Sequence, residues 1–286
     1  MQIEKLGIMG FGEIGRGIAQ MASKAGCHVA VWDKDEASLE EGKGSLNDSM
    51  DKAVESGTLN KEEKEGILTR ITLGLDMAIF KESDLVIESV PEDLALKKKV
   101  VSGASKVIKA ETILATSTSC FSVTGISQSA LNPQRFLGMH FFRPPQDVRL
   151  VEVVRAEGTS QETMDLILEF CAKIGKETVV VKDSPGFIVN YLLVPYMNQA
   201  LNYYEHGLAD KEGLDTAIRM GLGYPKGPLT LVDQMGLDDY LQLTSSLYER
   251  LGDQRFFPPP ILKRMVDGGK PGKKSGEGFY TYNKKT

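Results

Sequence analysis

Of the three histidines in this 286-residue chain, one stands where it could do chemistry. His140 lies in Phe136-Leu137-Gly138-Met139-His140-Phe141-Phe142, and alternation along a strand puts it on one face with Phe136, Gly138 and Phe142. The next apolar run, Leu150-Val151-Glu152-Val153-Val154, carries Glu152 on a face with Leu150 and Val154. A carboxylate there is costly unless it is paired or hydrogen-bonded. A short turn over residues 143–149 would bring the two strands together and set Glu152 against His140. Such a partner fixes the imidazole's tautomer and stabilises its charged form, which suits general acid–base catalysis. The same pair could instead do no more than set strand register. His28, at a strand entrance, and His206, at a helix end, read as structural or solvated.

A second site is written in Gly10-Phe11-Gly12-Glu13-Ile14-Gly15, between an expected strand and an expected helix. Gly10 can make the tight turn, Gly12 lets backbone approach a pyrophosphate, and Gly15 lets helix pack on strand. The helix N-terminus supplies amides and partial positive charge for the phosphates. Asp33 ends the second expected strand, close to the roughly 20-residue offset at which an acid meets the ribose hydroxyls and repels a 2′-phosphate. This combination points to NAD; the alternative is that the glycines only permit close packing. Thr116-Ser117-Thr118-Ser119-Cys120 ends another strand, where open α/β sheets bind ligands, although such hydroxyls also cap helices. Asn190 sits among apolar neighbours and needs a partner. No His, Cys, Asp or Glu spacing fits a metal, and no nucleophile elbow or phosphate-loop lysine occurs.

The elements that must position these groups follow from periodicity. Strands are expected over residues 6–9, 28–32, 71–73, 85–87, 113–115, 136–142, 150–154 and 178–181. Helices are expected over 13–25 and 160–174, with a charge-rich helical extension over about 35–69 broken near Ser56-Gly57. Continuous apolar strands alternating with helices predict an α/β fold, a doubly wound, mainly parallel sheet covered on both faces. Asp183-Ser184-Pro185-Gly186 reads as a linker, dividing a domain over 1–184 from a helical one over 185–286. Past it, the strand signal returns only at Phe279-Tyr280-Thr281-Tyr282. Residues 187–204 are apolar nearly all round, which predicts a helix buried on several sides and a homodimer contact.

Composition excludes several classes. Hydrophobic residues make up 41% and charged residues 26%, enough for both a core and a solvated surface. A net charge of −5 without a concentrated basic patch argues against nucleic acid as a partner. No apolar run reaches the roughly 18–20 residues of a membrane helix. Met1-Gln2-Ile3-Glu4-Lys5 leads straight into a strand, so no signal or transit peptide is expected. Cys27, Cys120 and Cys171 fit no pairing or zinc pattern, and a reducing, cytoplasmic location is expected.

Taken together, GFGEIGRGIA, DLVIESVPED at 84–93, GMHFFRPP at 138–145, LVEVV at 150–154, DSPGFIVN at 183–190 and GLGYPKGPLTLVDQMGLD at 221–238 resemble the L-3-hydroxyacyl-CoA dehydrogenase family across essentially the whole chain. The resemblance implies a Rossmann-type domain followed by a helical dimerisation domain, with NAD as cofactor and a 3-hydroxyacyl-CoA as substrate. It implies that His140 is the general base and Glu152 its partner. Ser119 and Asn190 match residues that contact the reacting oxygen and the histidine, and Glu92 and Lys97 match positions near the cofactor. Lys52 matches a CoA-contacting lysine, whereas Ser56 falls where a second lysine is frequent. Arg143 replaces a common Asn. It could meet a carboxylate on a dicarboxylic acyl chain, but pairing within the protein is the preferred reading. Two alternatives stay open: a dehydrogenase of a non-CoA hydroxy acid, such as a gulonate, and a non-catalytic NAD-binding protein.

Overall fold

The structure, a computed structural model, describes residues 2–282. The chain divides into two compact units, Met1–Ser184 and Pro185–Thr286.

The first unit is built on one sheet. Its strands are β1 (Lys5–Met9), β2 (His28–Trp32), β3 (Ile71–Gly74), β4 (Leu85–Glu88), β5 (Ile113–Thr116), β6 (Phe136–Phe141), β7 (Leu150–Arg155) and β8 (Glu177–Lys182). They lie in the order β3-β2-β1-β4-β5-β6-β7-β8. Every neighbouring pair is parallel except β6 and β7, which run antiparallel. β4, β5 and β6 are buried along their whole length, as continuous apolar runs require when helices cover both faces. The strand order reverses between β1 and β4, so a crevice for a ligand is expected beyond their C-terminal ends.

Helices α1 (Glu13–Lys24), α2 (Glu36–Glu55), α3 (Lys61–Thr69), α4 (Leu94–Ser105), α5 (Val123–Ser127) and α6 (Gln161–Lys173) complete this unit. The helical extension is two helices. Asp35 caps α2 by accepting from the Ser38 amide at 2.8 Å, and Gly57, at φ 74°, lets the chain turn after it. Asn60 and Glu63 then form a reciprocal capping box at the start of α3.

The second unit holds α7 (Val189–Glu205), α8 (Lys211–Leu222), α9 (Pro228–Met235), α10 (Leu237–Leu251) and α11 (Pro260–Asp267). Val194, Met197 and Leu201 of α7 are buried, but Ile188 and Tyr191 are exposed and Leu192 is 66% exposed. The helix therefore buries one side within the single chain and leaves apolar surface on another. The strand expected at Phe279-Tyr280-Thr281-Tyr282 does not form; only isolated bridges, Gly272 to Glu277 and Glu277 to Thr281, occur. The reason is local. The amides of Phe279 and Tyr280 both donate at 2.9 Å to the buried carboxylate of Asp233, which takes the place of a neighbouring strand. Among the described residues no helix is long and apolar enough to cross a membrane.

Candidate active site

Register decides the first cluster. In the antiparallel β6–β7 pair, His140 stands directly opposite Glu152. Their Nδ1 and Oε2 atoms are 2.6 Å apart, with His140 4% and Glu152 1% exposed. An ionised carboxylate only accepts, so Nδ1 carries the proton and Nε2, across the ring, carries the lone pair. Phe142 packs on the imidazole with ring centroids 4.5 Å apart. The segment after β6 is anchored by Lys176, whose ammonium donates to the carbonyls of Pro145 and Val148, both at 2.5 Å. Burial holds the Lys176 amine below its ordinary range, with Asp147 acting against it. Arg143 Nε lies 3.6 Å from Glu13 Oε2, an ion pair within the protein.

The glycine-rich turn lies at the end of β1. Gly10 has φ 99°, and a side chain there would run into the Ser89 carbonyl. A side chain on Gly15 would strike the Gly10 carbonyl, so helix and turn are in direct contact. Gly12 differs, because a Cβ there would meet nothing within 4 Å. It is exposed, it occupies the N-cap of α1, and no side chain caps that end. Open backbone at a helix N-terminus is the cradle a pyrophosphate needs, so these residues fit a dinucleotide. Asp33 accepts from the Phe11 and Lys34 amides, each at 2.7 Å, one on each carboxylate oxygen. Each oxygen has a further lone pair for a ribose hydroxyl. The acid thus braces the turn that it borders.

A third cluster was not evident from spacing. Glu88, the last residue of β4, is fully buried and faces Lys97, with Nζ and Oε1 2.9 Å apart. Glu92 Oε2 lies 3.1 Å from the same ammonium. The other oxygen of Glu92 accepts from the Thr118 hydroxyl and from the Ser119 amide at 3.0 Å. Ser119 thus sits on a turn held by Glu92. Lys97 is 1% exposed, so its ammonium points into the protein. Thr116 and Thr118 belong to the hydroxyl run noted in the sequence, but Glu88 is a candidate that sequence reasoning missed; the available signal was an acid ending an otherwise apolar strand.

The structure brings His140 to Glu152, joins Glu92, Lys97 and Ser119 in one network, and places Asp33 on the turn of Gly10 and Gly12. Lys52 is exposed on α2 and, among the described residues, makes no hydrogen bond or ion pair with these groups. Asn190 belongs to the second unit, in the first turn of α7, and is 6% exposed. Among the described residues no group of His, Cys, Asp and Glu could hold a metal ion.

Comparison with known proteins bears on this geometry. Residues 5–184 match the NAD-binding domain of 3-hydroxyacyl-CoA dehydrogenase, and residues 186–282 match its C-terminal domain. A probable 3-hydroxybutyryl-CoA dehydrogenase of Deinococcus radiodurans is 38% identical over 278 residues, covering 97% of this chain and 100% of that one. The crystal structure of FadB2 from M. tuberculosis superposes with a TM-score of 0.96 at 37% identity, over 99% of this chain and 100% of that one. That of (S)-3-hydroxybutyryl-CoA dehydrogenase from Ralstonia eutropha gives 0.92 at 34% identity, over 99% and 100%. With both halves matched in order, and relatives similar along nearly their full length, the chain belongs to the 3-hydroxyacyl-CoA dehydrogenase family.

Proposed function

We propose that this protein is an NAD-dependent dehydrogenase that reversibly oxidises an (S)-3-hydroxyacyl-CoA to the 3-ketoacyl-CoA. The observation that carries the mechanism is the 2.6 Å contact between His140 and Glu152 on facing strands. NAD, when bound, supplies the acceptor for the hydride that leaves C3 of the alcohol. His140 Nε2 takes the hydroxyl proton, and Glu152 stabilises the imidazolium that results. In the reverse direction the imidazolium returns that proton to the keto oxygen. Ser119 orients the reacting oxygen, Asn190 is the second unit's proposed substrate contact, and Lys52 meets the CoA. Gly10, Gly12 and Gly15 receive the pyrophosphate and Asp33 the ribose, with Glu92 and Lys97 near the cofactor. General acid–base catalysis of this kind is typically worth about 10²–10⁴-fold, and orientation contributes much of the remainder.

The protein acts as a homodimer paired through its second unit. Leu192 (66% exposed), Leu208 (62%) and Met220 (77%) support this, because a chain acting alone rarely leaves so many large apolar side chains on one helical unit. Three buried thiols suit a reducing compartment and support a cytoplasmic location.

Mixing the purified protein with NADH and acetoacetyl-CoA tests the substrate class, with free acetoacetate as control. The expected result is oxidation of NADH by the thioester and little by the free acid. Equal turnover of both, or of neither, would overturn the assignment to an acyl-CoA.

A further inference from the structure

The loop that leaves His140 is held by two elements outside it. Residues 142–149 join β6 to β7 and carry Pro144 and Pro145, which bring no N–H to close a turn. Within the loop, the amides of Asp147 and Val148 both donate to the Pro144 carbonyl, at 3.1 and 3.2 Å. The carbonyls of Pro145 and Val148 accept instead from the ammonium of Lys176, each at 2.5 Å. Lys176 is 8% exposed, and its backbone is fixed where α6 passes into β8. Gly175, at φ 75°, turns the chain there, and the Lys176 amide donates to the Cys171 carbonyl at 2.8 Å. The next amide, that of Glu177, donates to the Arg149 carbonyl at 2.9 Å. The second element is α1. A Cβ at Gly17 would come within 2.9 Å of both Pro145 and Gln146, so helix and loop are in direct contact. A buried ammonium needs acceptors, and buried carbonyls without donors are costly, so lysine and loop satisfy each other.

We propose that Lys176 is a positioning residue for proton transfer: by stapling the loop after β6, it holds Phe142 against the His140 imidazole and so keeps Nε2 aimed at the substrate. The proposal rests on the reading of His140 as the general base. Phe142 is the first residue after β6, and its ring centroid lies 4.5 Å from that of His140. The loop from Arg143 onward therefore decides where that ring can sit. The contact with Glu152 fixes the imidazole at Nδ1 alone, and a ring held at one nitrogen can still tilt about that hydrogen bond. Phe142 supplies the second point of support. Without the Lys176 donors, the carbonyls of Pro145 and Val148 would turn to seek water, Phe142 would lose its seat, and the imidazole would lose its fixed orientation. Small errors of aim are expensive in a step that needs the donor and acceptor of the proton in line.

Lys176→Met keeps the length of the side chain and removes its donors. Four measurements on the full-length variant test the staple: steady-state kinetics with NADH and acetoacetyl-CoA, the Kd for NADH by fluorescence, amide hydrogen exchange of residues 146–148, and the ring-proton resonance of His140. With only three histidines in the chain, that resonance is assigned by its loss in His140→Gln. kcat is expected to fall about 10- to 100-fold, while KM for the thioester and Kd for NADH stay within about threefold. The His140 resonance, which feels the Phe142 ring current, should shift, and exchange at 146–148 should accelerate. A lower melting temperature with kcat and the resonance unchanged would make Lys176 a structural lysine only and overturn the proposal. A rise of about tenfold in KM or Kd with kcat intact would make the loop a binding element and overturn it as well. Gly17→Ala presses on the same loop from α1, and is expected to shift the same resonance and lower kcat about 3- to 10-fold. Should Lys176→Met fail to fold, wild-type kcat and an unmoved resonance in Gly17→Ala would refute the link between loop and imidazole. If the wild type does not turn over acetoacetyl-CoA, the substrate reading falls, and the resonance and exchange in both variants still decide the staple.

Discussion

Two ionic clusters, buried but for a partly exposed Glu92, stand at the C-terminal ends of β4, β5 and β6, and they are built differently. The His140–Glu152 pair sets a titratable ring on a single carboxylate, across an antiparallel register. The Glu88–Lys97–Glu92 cluster encloses an ammonium whose three donors all meet protein acceptors. The first can gain and lose a proton at the ring nitrogen facing away from Glu152. In the second, the ammonium favours the ionised form of both carboxylates and they favour its charged form, while burial pushes the Glu88 carboxyl up. The first arrangement suits proton transfer, and the second suits a scaffold that holds a turn. Burying charge is costly in both, and each cluster offsets that cost by pairing.

Substitutions that leave shape intact sharpen this contrast. Glu152→Gln keeps an acceptor for Nδ1 but removes the charge that stabilises the imidazolium. It is expected to lower kcat about 100-fold with little change in NADH affinity, as measured by steady-state kinetics and fluorescence titration. Asp33→Ala acts on binding instead. It removes the ribose acceptor and the brace on the Phe11 amide, and should raise the Kd for NADH about 10- to 100-fold, hydrogen bonds to charged groups being worth about 1.5–3 kcal/mol. A fall in kcat at saturating NADH, with Kd unchanged, would contradict that assignment.

The second unit supplies an acid of a third kind. Asp233 is fully buried and accepts from the Phe279 and Tyr280 amides and the Tyr282 hydroxyl, each at 2.9 Å. Asp233→Ala should cost about 1–3 kcal/mol of stability, read as a lower denaturation midpoint, with NADH affinity retained by the folded protein. The smallest effect concerns the thiols. Burial pushes Cys171 up to about 12, against the pull of Lys176, and Cys27 and Cys120 are buried as well. Native protein at pH 8 is expected to react slowly with a thiol reagent and to release all three cysteines on unfolding. Rapid labelling of Cys120 in the native state would show that the turn held by Glu92 opens readily.

Much of this was legible in the sequence, for reasons that differ by element. The strands of the first unit are short apolar runs bounded by turns, so their number and mainly parallel arrangement could be read from periodicity. The His140–Glu152 pairing could be read because the two residues break apolar faces of neighbouring runs. The Glu88–Lys97 contact could not, because a strand end and a helix turn bring the two together, and these share no period. Only the folded structure shows that the Lys97 ammonium meets Glu88, Glu92 and the Val90 carbonyl. The segment at Phe279–Tyr282 misled for a related reason. Its alternation is that of a strand, yet the Phe279 and Tyr280 amides both donate to one distant carboxylate.

The central claim is that His140 moves the proton that accompanies hydride transfer. Single-turnover oxidation of pre-bound NADH by acetoacetyl-CoA, followed by NADH fluorescence in the wild type and in His140→Gln, tests it most directly. The account predicts that NADH binds both proteins equally and that the chemical step slows by about 10²–10⁴-fold in the variant. A chemical step at the wild-type rate in His140→Gln would contradict the account.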